Sequence, residues 1–162
     1  MTTCGDCMGE KAIQDQWPEY GTKCWGCGRN NKHGFQLKSF WQGDETVATW
    51  RPQPYHLAFP GALCGGVIAT LIDCHATNTA NAVAFKAEGI SLGAEPDKDY
   101  VTGSLFVKYL RPTPVDKPVT LRARVKEMKG RKITVICSLS SEGIECATGE
   151  VVAVQIGKNI VK

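Results

Sequence analysis

Charge is scarce in the middle of this sequence: between Arg51 and Lys86 the single Asp, Glu, Lys or Arg is Asp73. An ionised carboxylate is costly to bury alone, so it finds hydrogen-bond donors, shifts its pKa or faces a cleft. A purely structural Asp, bonded to nearby Thr hydroxyls to fix a helix packing, is the alternative to a functional one. Other absences narrow the field further. No apolar run approaches the roughly 18 residues of a membrane span, which excludes a spanning helix. No block of like charge appears and the net charge is only +3, so nucleic acid is not the indicated partner, while a phosphorylated small substrate suits the mild basicity. Repeats, low-complexity tracts and interdomain linkers are missing, and 162 residues with 43% hydrophobic content fit one soluble domain. The opening residues hold no basic region ahead of an apolar core, so the expectation is a cytoplasmic protein. In that setting the eight cysteines are read as thiols or metal ligands rather than disulfides.

Residues 1–33 are polar and irregular, and carry two CxxC pairs, Cys4/Cys7 and Cys24/Cys27. Sixteen residues separate the pairs, the spacing of a four-thiolate zinc site. Small cysteines packing beside Trp25 are the alternative. From residue 34 to 162 the pattern is that of a single domain. Alternation of Phe35, Leu37 and Ser39, then of Val47, Thr49 and Arg51, predicts two strands around the turn Gln42-Gly43-Asp44. The prolines of Arg51-Pro-Gln-Pro-Tyr-His56 force a loop, where His56 is either a binding imidazole or a surface histidine.

A long helix is predicted over Gly65–Phe85, with Ile68, Leu71, Ile72, Thr79 and Val83 on a bulky face. Gly66, Ala69, Thr70, Asp73, Thr77 and Ala80 form a small, polar stripe, on which Asp73 has Thr70 and Thr77 as local partners. His75 points away from Asp73 and reads as a packing histidine. A surface connection over residues 86–99 then leads to four strand-like runs, Tyr100–Arg111, Val119–Met128, Arg131–Ser140 and Glu145–Ile156. Two strands, one helix and four strands make an α+β architecture, with an antiparallel sheet of about six strands around one helix. Lys126, Lys129, Arg131 and Lys132 cluster at one hairpin tip, either to meet phosphates or simply as a solvated turn. Cys64 and Cys74 lack a legible base and rank below Asp73 as nucleophiles.

Cys64-Gly-Gly-Val-Ile-Ala-Thr-Leu-Ile-Asp73, together with Phe106-Val-Lys-Tyr-Leu-Arg-Pro112 and Cys24-Trp-Gly-Cys-Gly-Arg-Asn-Asn, resembles the hotdog-fold acyl-CoA thioesterases, in the branch similar to the phenylacetate-pathway thioesterase. The resemblance implies hydrolysis of an acyl-CoA thioester to free acid and CoA. It implies Asp73 as base or nucleophile, Gly65 as the amide that receives the thioester oxygen, and Thr102 as a hydroxyl near the attacking water. Cys64, Gly66, Thr77, His56, Arg131 and Lys132 are the expected substrate-binding residues. No cofactor is expected for the reaction, with a structural zinc on Cys4, Cys7, Cys24 and Cys27 as the one optional ion. Gly65 and Asp73 lie about 12 Å apart along one helix, so a shared thioester needs two chains, which implies a homodimer or a dimer of dimers with composite sites. Cys64 replaces the family's His, and Ala58 a frequent Asn. Those two departures motivate the alternative of a non-catalytic acyl-CoA-binding protein, and the CxxC pairs that of a zinc-ribbon interaction module.

Overall fold

The computed structural model describes residues 11–95 and 98–157. A short helix, α1 (Ile13–Gln16), opens the described chain and is followed by a 3-10 turn at Glu19–Gly21. Six strands follow, β1 (Ser39–Gln42), β2 (Glu45–Trp50), β3 (Lys98–Tyr109), β4 (Val119–Lys129), β5 (Lys132–Ser141) and β6 (Ile144–Gly157), with α2 (Gly65–Ala87) between β2 and β3. All pairings are antiparallel in the order β1-β2-β4-β5-β6-β3, so β1 and β3 are the edges. This is the expected hotdog arrangement of one sheet around one long helix.

Alternation explains which face of the sheet meets the helix. Val119, Leu121 and Ala123 of β4, and Ile133, Val135, Cys137 and Leu139 of β5, are all buried, because successive strand residues point to opposite faces. α2 packs on β3, β4, β5 and β6. It comes near the sheet at Gly149, where a Cβ would stand 2.4 Å from Ile72 Cγ2. Only a glycine lets the sheet come that near.

Three details differ from the sequence-based reading. The first strand starts at Ser39, not at Phe35, because the Phe35 and Leu37 amides donate to Trp25 O and Gly26 O instead of a neighbouring strand, with Gln36 at a positive φ of 49°. The helix runs on to Ala87 and stops at Gly89, whose φ of 68° supports the Ile90 N–H bond back to Phe85 O at 2.8 Å. Finally, Ala80 on the small, polar stripe is fully buried. The sheet wraps so far around α2 that helix periodicity separates its faces poorly. Among the described residues no helix is long and apolar enough to cross a membrane.

Candidate active site

The N-terminus of α2 is fixed by the loop ahead of it. The Cys64 amide donates to His56 O at 2.8 Å, Leu63 to Thr113 O at 2.8 Å and Val115 to Gly61 O at 3.0 Å. Cys64 is the N-cap but makes no side-chain cap, so the first amides, at Gly65 and Gly66, keep their donors for something outside the helix. The positive end of the helix dipole favours negative charge at that point. Tyr109, the last residue of β3, closes one side by donating its hydroxyl to Gly65 O at 2.7 Å.

Two turns along, Asp73 is partly buried and faces a different group of residues. Thr102 donates to its Oδ1 at 2.5 Å and Thr77 at 3.4 Å, while the two hydroxyls lie 2.8 Å apart. Thr77 is there by helical spacing. Thr102 arrives from β3 beside a register shift between Thr102 and Ser104, a bulge that re-aims side chains at a sheet edge. Asn81 fixes this contact by accepting from the Tyr100 amide at 2.9 Å and donating to Tyr100 O at 2.8 Å.

Asp73, Thr77 and Thr102 line a cavity of about 640 Å³, together with Trp17, Tyr20 and Cys24 of the N-terminal segment. Cys27 and Cys74 line it as well. The sulfurs of Cys24, Cys27 and Cys74 all lie within 4.8 Å of one another, and Cys24 and Cys74 are 3.8 Å apart. Hydrogen bonds from Cys27 and Cys74 draw the Cys24 thiol far below its ordinary range, and the same contacts push Cys27 and Cys74 up.

The structure therefore brings Asp73, Thr77 and Thr102 together and leaves Cys64, Gly65 and Gly66 about two turns away, at the N-terminal end of the helix. His56 sits near that end, in an aromatic group with Phe35, Trp50 and Tyr55. Its Nδ1 accepts from the Gln53 amide at 2.9 Å, and burial lowers its pKa. Arg131 is held on the sheet by donating to Gln155 O at 2.9 Å, and Lys132 pairs with Val154 in the β5–β6 ladder. Cys4 and Cys7 lie outside the described residues. Cys74 was not expected as a partner of Cys24 and Cys27, since it is 50 positions from Cys24 and no spacing rule links them. Asn78 was missed too: it accepts from Trp17 Nε1 at 2.6 Å and donates to Cys27 Sγ at 3.4 Å.

Known proteins resemble this chain in sequence and in fold. Acyl-coenzyme A thioesterase THEM4 of Bos taurus is 29% identical over 110 residues, covering 67% of this chain and 40% of that protein. The chain thus spans less than half the length of this curated relative. A crystal structure of a thioesterase superfamily protein from Shewanella loihica PV-4 is 39% identical, with a TM-score of 0.61, over 78% of this chain and 96% of that one. The E. coli PaaI protein of the phenylacetic acid degradation operon shares the fold at 14% identity and a TM-score of 0.61, over 76% of this chain and 81% of its own. The family model described as Thioesterase superfamily matches residues 60–148, more than half of the chain and all of α2. On that match, the chain belongs to the thioesterase superfamily.

Proposed function

We propose that the protein hydrolyses an acyl-coenzyme A thioester to a free acid and coenzyme A, with Asp73 as the base. The observation that carries this reading is the carboxylate of Asp73, held by two threonine hydroxyls on the wall of an open cavity. Both bonds land on Oδ1, which leaves Oδ2 to take a proton from water. That water attacks the thioester carbonyl, the oxyanion is received by the amide of Gly65 at the positive end of a helix, and collapse expels the coenzyme A thiolate. The name of the bovine relative supports the substrate class.

One chain does not complete such a site, because about 12 Å of helix separates Gly65 from Asp73. A second copy supplies the missing half. β3 supports this assembly: it is an edge strand of 12 residues, and Val101, Leu105, Phe106 and Tyr109 on it are exposed. Long apolar edges are covered in stable proteins. Pairing two copies would place Gly65 of one against the substrate of Asp73 in the other.

Release of free thiol from a panel of acyl-CoAs tests the reaction. Asp73→Ala is expected to lose roughly 10²–10⁴ in rate, the usual contribution of a positioned base. Wild type and variant turning over equally would end the proposal, and an active monomer by light scattering would end the composite site. Tight acyl-CoA binding without turnover would select the binding-protein alternative, for which Cys64 at the N-cap is the specific motive.

A further inference from the structure

We propose that Cys24, Cys27 and Cys74 together hold one zinc ion, which fastens the N-terminal segment to the central helix beside Asp73. The claim does not rest on hydrolysis, since a protein that turns over nothing still binds the ion if the site is real. Its ligand set also differs from the one that spacing suggested, because the third sulfur comes from α2.

Geometry is the main support. In a tetrahedral thiolate site with Zn–S near 2.3 Å, neighbouring sulfurs lie about 3.8 Å apart, and Cys24 Sγ and Cys74 Sγ are separated by 3.8 Å. Cys27 Sγ completes a triangle with no edge beyond 4.8 Å. A contraction of at most about 1 Å on the longer edges closes the triangle around a single ion.

The backbone is shaped for this arrangement. The Gly28 amide donates to Cys24 O at 2.8 Å, closing the Cys24-Trp-Gly-Cys27 turn, and a Cβ on Gly28 would fall 2.4 Å from Thr22 O. Gly26 is pressed on the third sulfur, since a Cβ there would stand 2.3 Å from Cys74 Sγ. Both glycines are thus required for the turn to deliver its two sulfurs to the helix.

An outer contact is present as well. Asn78, one turn after Cys74, donates to Cys27 Sγ at 3.4 Å and to Cys74 O at 2.8 Å, and is itself held by Trp17 Nε1. Such N–H···S bonds support metal-bound thiolates and orient them. Three sulfur ligands select a soft cation such as zinc over magnesium or calcium, and leave one coordination position for a water or a further ligand.

The test uses the full chain, purified under reducing conditions, loaded with zinc and desalted before metal is counted against protein. About one zinc per chain is expected in wild type and in Cys146→Ala, and almost none in Cys24→Ala or Cys74→Ala. Cobalt loading of wild type, which depends on no variant, is expected to give strong thiolate-to-cobalt charge-transfer absorption. Zinc retained in full by Cys74→Ala, or wild-type protein with neither stoichiometric zinc nor the cobalt band, would overturn the assignment.

Discussion

Asp73 and His75 stand two residues apart on one helix, each surrounded by hydroxyls, and they end in opposite circumstances. Asp73 meets Thr77 and Thr102 at the wall of a cavity. His75 is fully buried, with Nδ1 bonded to Ser39 Oγ at 2.8 Å and Nε2 to Thr46 O at 3.1 Å. Thr79 extends this second group by bonding Thr46 Oγ1 at 2.5 Å. A two-residue step turns a side chain through roughly 200° on a helix, so one polar group faces the cavity and the other is sealed under β1 and β2. Similar partners thus leave a carboxylate beside a cavity in one case and make an internal joint in the other. Access by water and substrate makes the difference, and both ring nitrogens of His75 are bonded whereas both threonine bonds at Asp73 fall on Oδ1.

Removing the joint should produce the largest change. His75→Ala opens a cavity and strips partners from Ser39 and Thr46, so we expect a loss of about 2–4 kcal/mol in urea unfolding. Turnover by the fraction still folded should be little altered. An unfolding midpoint equal to wild type would erase the contrast with Asp73.

Acid sharpens the same contrast. Burial lowers the His75 pKa from 6.5 to about 4, so the unfolded chain takes up a proton before the folded one does. Stability from the neutral ring is complete above pH 6.5, falls as pH drops from 6.5 toward 4, and changes no further below that. The full swing is roughly 3 kcal/mol at most. It is read as the difference in unfolding free energy between wild type and His75→Ala, which should shrink through that window. A difference that stays constant from pH 8 to pH 4 would show that the ring is not held neutral by burial.

The smallest effect is expected at Thr102. Thr102→Val keeps the shape of the side chain but removes the bond to Asp73 Oδ1. We expect a rate about tenfold lower, a barrier change of about 1.4 kcal/mol, with stability unchanged. An unaltered rate would mean that Thr77 alone orients the carboxylate.

Much of the framework was legible from local pattern. The run Arg131–Ser140 read as a strand, Ile133, Val135, Cys137 and Leu139 alternate on its buried face, and the Glu142-Gly143 turn, with φ of 51° and 78°, closes the hairpin to the next run. Asp73 stood out because the sequence around it has no other charge, and His75 read as a packing residue from its position on the helix. Phe35 shows where this approach fails. It alternates as a strand residue does, yet its backbone pairs with the Cys24–Cys27 turn, and its ring joins Trp25, Trp50 and His56. Periodicity records which side of an element is buried, not which element covers it.

The sequence by itself determined the order of strands and helix, the lone carboxylate in a chargeless stretch, and the glycine pair that frees amides at the start of α2. Tertiary structure decided which side chains those features meet. Thr102 reaches Asp73 across 29 positions, and Cys74 reaches Cys24 across 50. Contacts over such separations follow from how the sheet curls around the helix and where β3 bulges, and these depend on packing across the whole core rather than on local spacing. The long helix was visible from its own residues. Its two polar neighbourhoods, one beside the cavity and one sealed, came into being only when the rest of the chain closed around it.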